Sequence, residues 1–108
     1  MDSQHERIAK TEALFRDVNE RIAEASERLE TDSGTFMCEC ADPACVERLD
    51  VPLDEYEDVR ADPAQFVLDP DHVRPEVERV MSKGRGYAIV QKFGVVGRIA
   101  RRLNPRTA

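Results

Sequence analysis

The chain reads as an α+β protein, with a long N-terminal helix followed by a small zinc-stabilised module of short antiparallel strands and one or two short helices. Three observations predict this. Residues 3–30 contain no proline or glycine and repeat apolar residues every seven positions. All three cysteines fall within eight residues, as Cys38, Cys40 and Cys45, and His72 stands 27 residues after the last of them. Beyond residue 45, short apolar stretches alternate with turn-forming sequences such as Asp62-Pro63 and Lys83-Gly84-Arg85-Gly86.

The helix opens on Ser3-Gln4-His5-Glu6, a capping box in which Ser3 accepts from an amide of the first turn and Glu6 reaches back. Ile8, Phe15, Ile22 and Leu29 recur at heptad spacing, with Thr11, Val18 and Ala25 between them. Thr31-Asp32-Ser33-Gly34 ends the helix, Gly34 being suited to the left-handed conformation. Residues 46–51 read as a short strand. A helix opens at Pro52-Leu53-Asp54, with Asp54 as its cap and Leu53, Tyr56 and Val59 facing inward. Gln65-Phe66-Val67-Leu68 is a second strand, Asp69 to His72 a turn, and Pro75 to Met81 a short helix or turn. Residues 87–92 form the clearest strand, and residues 94–108 a basic amphipathic tail with Val95, Val96, Ile99 and Leu103 apolar. The organisation is therefore 1–33, 34–93 and 94–108.

At 108 residues the chain suits one domain. Tryptophan is absent and aromatics are sparse, so a core of small aliphatics is expected, and such a core gains from a metal staple. An odd cysteine count with a C-x-C pair argues against a disulfide framework. The charged N-terminus lacks the apolar run of a secretion signal, and no stretch is long enough to span a membrane, which predicts a reduced, cytoplasmic setting. Net charge is −6 but sharply divided. Up to Glu78 there are 22 acidic and eight basic residues, a balance of −14; from Arg79 onward there are eight basic residues and no acid, giving +8. That polarity points to two surfaces with different partners, or to a tail folded on an acidic body.

Cys38, Cys40, Cys45 and His72 make up a tetrahedral zinc set. In an extended chain Cys38 and Cys40 point the same way, and Asp42-Pro43 supplies a turn that returns Cys45 to the same ion. Asp42, Glu39, Glu47, water or a group from another chain compete with His72 for the fourth position. Free buried cysteines, redox chemistry and an iron–sulfur centre are the alternatives, the last disfavoured by the lack of a fourth cysteine. His5 reads as a solvated surface residue. A closed four-ligand site stabilises a fold without performing chemistry. With no Ser/His/Asp set, phosphate loop or paired metal-binding helix motif, the expectation is that the protein is not an enzyme.

Phe36 to Cys40, Cys45, Glu55-Tyr56-Glu57, Val59-Arg60, Asp62-Pro63, Phe66 and Pro70-Asp71-His72, together with Glu12, Leu14, Phe15 and residues 18–21, resemble a group of short, uncharacterised actinobacterial proteins. The resemblance reaches to about Lys92 and implies the same cysteine and histidine site. Asp71 stands where the family pattern has glycine, and the arginine-rich tail departs from the family's more acidic end, so nothing is implied for the tail.

The leading functional reading is a zinc-stabilised, regulatory protein-interaction module. Its partner, or a second copy, would meet the helix seam of Ile8, Phe15, Val18, Ile22 and Leu29, unless that stripe packs on the module itself. The second reading is nucleic-acid binding through Arg98, Arg101, Arg102 and Arg106, with Lys83, Arg85 and Lys92. A tail lying on an anionic membrane, or docked on the body, is also compatible with the sequence.

Overall fold

The structure, a computed structural model, describes residues 3–104. The Ser3 side chain of the expected capping box, and Arg106 of the basic strip, lie outside the described residues. The first helix, α1, covers Ser3–Arg28. Beyond it come β1 (Ser33–Met37), β2 (Arg48–Pro52), α2 (Leu53–Arg60), β3 (Gln65–Leu68), a 3-10 turn (Pro70–His72), β4 (Glu78–Gly84), β5 (Tyr87–Lys92) and α3 (Gly94–Arg102). β1 and β2 pair antiparallel from Ser33 opposite Pro52 to Met37 opposite Arg48. The other three strands form an antiparallel sheet in the order β3-β5-β4. The α+β architecture expected from the sequence is therefore present.

α1 packs against β1, α2 and α3. Its buried face is Ile8, Ala9, Glu12, Phe15, Arg16, Asn19, Ala23 and Ser26. That set follows the 3.6-residue period of a straight helix rather than the 3.5-residue heptad. A straight helix drifts about 20° per heptad, so a strict seven-residue stripe rotates off the core. Ile8 and Phe15 are buried, Ile22 is half-buried, Val18 is exposed, and Leu29 is 74% exposed.

The helix stop also differs from expectation. Glu30, with φ 55°, is the left-handed residue, not Gly34. Thr31 N–H donates to Ser26 O and Glu30 N–H to Glu27 O, the paired bonds of a Schellman end. Gly34 instead lies in β1, where an added Cβ would stand 2.9 Å from the Phe36 ring. Asp54 does not cap α2; that position falls to Pro52, and Asp54 accepts from the adjacent Glu55 amide inside the first turn.

Residues 75–77 form a turn, but residues 78–84 form strand β4, which corrects the expected helix or turn over the rest of 75–81. A β-bulge between Val80 and Ser82 breaks the alternation, and the strand is exposed from Arg79 to Lys83, so it carries no period-two apolar signal. The β4–β5 connection is the two-residue turn Arg85-Gly86, with Gly86 at φ +83°, a conformation L side chains rarely adopt.

The core contains more aromatic surface than composition suggested. Five of the six aromatic residues are buried: Phe15, Phe36, Tyr56, Phe66 and Tyr87. Phe36 and Tyr56 stack at 4.2 Å between centroids, and around them pack Leu49, Val51, Val59, Val67, Leu68 and Val90. α3 turns Val96, Ile99 and Ala100 inward, leaving Val95 and Leu103 exposed, so the basic tail is a docked helix as far as Arg102. Among the described residues, no helix is long and apolar enough to cross a membrane.

Candidate metal centre

Both segments carrying the four candidate ligands are held by backbone bonds. Cys38 N–H donates to Glu47 O at 3.1 Å, extending the β1–β2 ladder one step beyond Met37. Glu39 N–H then donates to Val67 O at 2.8 Å, so the Cys-Glu-Cys segment lies along the free edge of β3. Alternation sends Cys38 and Cys40 to one side of that segment and Glu39 to the other. Asp42 closes the next turn by accepting from the Ala44 amide through its carboxylate and from the Cys45 amide through its carbonyl. On the second segment the Asp69 side chain accepts from Asp71 N–H and its carbonyl from His72 N–H, which fixes the 3-10 turn carrying His72.

The ligand atoms of Cys38, Cys40, Cys45 and His72 all lie within 4.8 Å of one another, a grouping able to hold a metal ion. His72 Nδ1 is 3.5 Å from Cys38 Sγ and 3.6 Å from Cys45 Sγ. A tetrahedral ion with metal–sulfur bonds of about 2.3 Å and metal–nitrogen bonds of about 2.05 Å requires a sulfur–nitrogen edge of about 3.6 Å. The spacing therefore fits direct ligation through Nδ1. The three cysteines are buried and reduced, and His72 is half-buried. A cleft of about 260 Å³ lined by Cys40, Asp42, His72 and Arg74 reaches the cluster and provides an entry path.

The sulfurs are electrostatically unequal. The Cys38 hydrogen bond pulls Cys40 down to about 5, helped by backbone donation from Asp42. Cys38 is pushed up because it supplies that bond and is buried, although the Asp69 amide donates to its sulfur at 3.2 Å. Burial raises Cys45. One anionic sulfur is thus readily held, and three are disfavoured without a cation.

Glu39, one of the rivals of His72 for the fourth position, is fully buried facing away from the sulfurs. It accepts from Arg16, Asn19 (3.0 Å), the Tyr56 hydroxyl (3.0 Å) and the Val67 amide (3.0 Å). Asn19 also exchanges two bonds with the Met37 backbone, at 2.8 and 2.7 Å. Arg16 lies over the Phe66 ring at 3.8 Å and donates to the Pro63 and Gln65 carbonyls. α1 thereby grips the middle residue of the Cys-Glu-Cys segment. Burial and the Glu39 carboxylate together push the Tyr56 phenol upward. Arg16 and Asn19 resemble a solvated helix face in the sequence, so this network is not legible there; the available signal is the alternation that places Glu39 opposite the two sulfurs.

A second buried cluster was also missed. The Lys92 ammonium pairs with Glu12 and Glu78, all three side chains essentially inaccessible. The other Glu78 oxygen accepts from Arg74 N–H at 2.7 Å, whereas Glu12 Oε1 has no partner. Burial raises Glu12 to about 7 against the opposing pull of Lys92, and lowers Lys92. Lys92 is therefore a core residue and not part of a basic surface. Of the remaining basic candidates, Lys83, Arg85, Arg98 and Arg102 are exposed, and exposed Arg101 pairs with Asp62 at 3.3 Å.

Fold and site together define a small α+β protein with a candidate three-cysteine, one-histidine metal centre. No family model matches the chain, and no curated protein or solved structure matches it.

Proposed function

We propose that this chain is a non-enzymatic, zinc-stabilised protein-interaction module with a regulatory role in the cytoplasm. The observation that carries the reading is the closed donor set: three sulfurs and one imidazole at tetrahedral spacing supply four protein ligands to one ion. Zinc suits that set because it accepts thiolate and imidazole together and prefers four-coordination. A four-ligand site leaves no position for an activated water and acts as a clip joining the β1–β2 loop to the turn after β3.

The clip supports a body whose partner surface is the outward side of α1. Leu14, 63% exposed, and Val18, 37%, are apolar side chains on the outward side of α1, and Leu29, 74% exposed, follows in the turn just after the helix. Ile8 and Phe15 belong to the core, so this surface is narrower than the heptad stripe. The test is sedimentation velocity across a concentration series, together with affinity capture, comparing wild type with Leu14→Glu/Val18→Glu. These side chains are exposed, so the fold should be retained. The double variant is expected to lose a self-associated species or a captured partner. Identical mass distributions and identical captured proteins would overturn the reading.

A further inference from the structure

Phe93 is the one aromatic side chain that is not buried, at 45% exposure, and it joins β5 to α3. Together with Arg79, Gln91, Arg98 and Arg101 it lines a cleft of about 280 Å³. Arg79 and Gln91 are register partners on β4 and β5, while Arg98 and Arg101 come from α3, so two separate elements bring the guanidiniums together. Asp62 answers only Arg101, at 3.3 Å, and is shared with the Gln91 amide. Among the described residues, Arg79 and Arg98 have no ion-pair partner.

Three guanidiniums against one carboxylate make the cleft cationic in a chain whose net charge is −6. Guanidinium forks match phosphate oxygens in bidentate geometry. An exposed aromatic ring beside them offers a platform for a flat base, and the Gln91 side chain adds donor and acceptor groups. A cationic groove with a stacking ring is the construction by which proteins hold single-stranded nucleic acid. A duplex fits less well, because its bases are already stacked on one another and the ring has no free base to meet.

We propose that the cleft between β4 and α3 is a binding site for a short stretch of single-stranded nucleic acid, with Phe93 stacking on a base and Arg79, Arg98 and Arg101 contacting phosphates. This site is separate from the metal clip and from the outward side of α1, and stands or falls independently of them. It also differs from a strip running along the tail, since Arg79 joins it and Lys92 does not contribute a surface charge.

The test is fluorescence anisotropy of the full, metal-loaded chain with labelled twelve-nucleotide oligo-thymidine and oligo-uridine, and with a duplex of matched length, between 50 and 200 mM salt. Saturable binding of a single strand is expected, weaker for the duplex, and declining as salt rises. Phe93→Ala should weaken single-strand binding by roughly fivefold to 150-fold with the salt slope preserved. Arg79→Ala/Arg98→Ala should reduce the logarithmic salt slope by about 1.4, the value for two lost phosphate contacts on a single strand. The altered side chains are exposed, and circular dichroism with metal content checks that each variant is folded. No saturable binding at 50 mM salt would overturn the proposal. Equal binding of duplex and single strand, or wild-type affinity in Phe93→Ala, would also overturn it.

Discussion

The cysteine–histidine cluster and the Glu12–Glu78–Lys92 cluster are both buried groups of polar side chains, but only one carries its own counter-charge. The candidate metal centre gathers four donors that could hold a cation supplied from solution. The carboxylate cluster closes around the Lys92 ammonium, a cation that the chain itself supplies. They also join different parts of the molecule, the first linking the β1–β2 loop to the turn after β3, the second linking α1, β4 and β5. The Arg16–Glu39 pair ties the Cys-Glu-Cys segment to α1, the helix that also supplies Glu12. One buried centre should thus respond to metal and the other to pH.

The largest effect that separates them is loss of a sulfur ligand. Cys40→Ser is expected to abolish the cooperative thermal transition seen by circular dichroism. Structural zinc sites contribute about 10–16 kcal/mol of binding free energy that is coupled to folding. Retention of a wild-type melt would remove the distinction between the two centres. Next comes Lys92→Met, which leaves Glu12 and Glu78 buried without their cation. Removing one partner of a buried ion pair costs about 3–5 kcal/mol, readable as a lower midpoint in urea unfolding, with metal content unchanged.

The pH response is the third contrast. Glu12 rises from 4.5 to about 7 on folding, because burial disfavours its charged form. A carboxyl whose folded value is raised favours the native state while protonated. Its contribution is fully present below about 4.5 and is lost as pH climbs towards 7. The stability difference between wild type and Glu12→Gln should therefore shift by about 3 kcal/mol between pH 4.5 and pH 8, with wild type losing ground at the higher pH. A difference that stays flat over that range would contradict the assignment. The smallest effect is Tyr56→Phe, which removes one of the donors to Glu39. A cost of about 2 kcal/mol with unaltered metal affinity is expected, the magnitude of a hydrogen bond to a charged group.

The two centres were unequally legible in the sequence for a physical reason. Three cysteines in eight residues form a local signal, and one histidine on an Asp-Pro turn completes a set whose chemistry is specific. Glu12, Glu78 and Lys92 are spread over 80 residues and belong to types that are almost always solvated, so nothing local distinguishes them. The same contrast holds along the fold. β3 and β5 carried continuous apolar or β-branched runs and are found at the expected bounds, Gln65–Leu68 and Tyr87–Lys92. β4 carried no such run, because its bulge and its exposure erase the alternation. On α1 the heptad pattern was visible, but which side is buried depends on Arg16 and Asn19 meeting Glu39, a tertiary event the periodicity does not encode. The left-handed stop at Glu30 was hidden for a similar reason, since glutamate has no special preference for that conformation and the Schellman bonds hold it there.

The central claim is that Cys38, Cys40, Cys45 and His72 bind one zinc ion that the fold requires. Native mass spectrometry with parallel elemental analysis of the full chain, before and after a strong chelator, tests it most directly. The expected result is one zinc per chain in a narrow, folded charge-state distribution, shifting to an unfolded distribution once zinc is removed. A metal-free chain that keeps the folded distribution would contradict it.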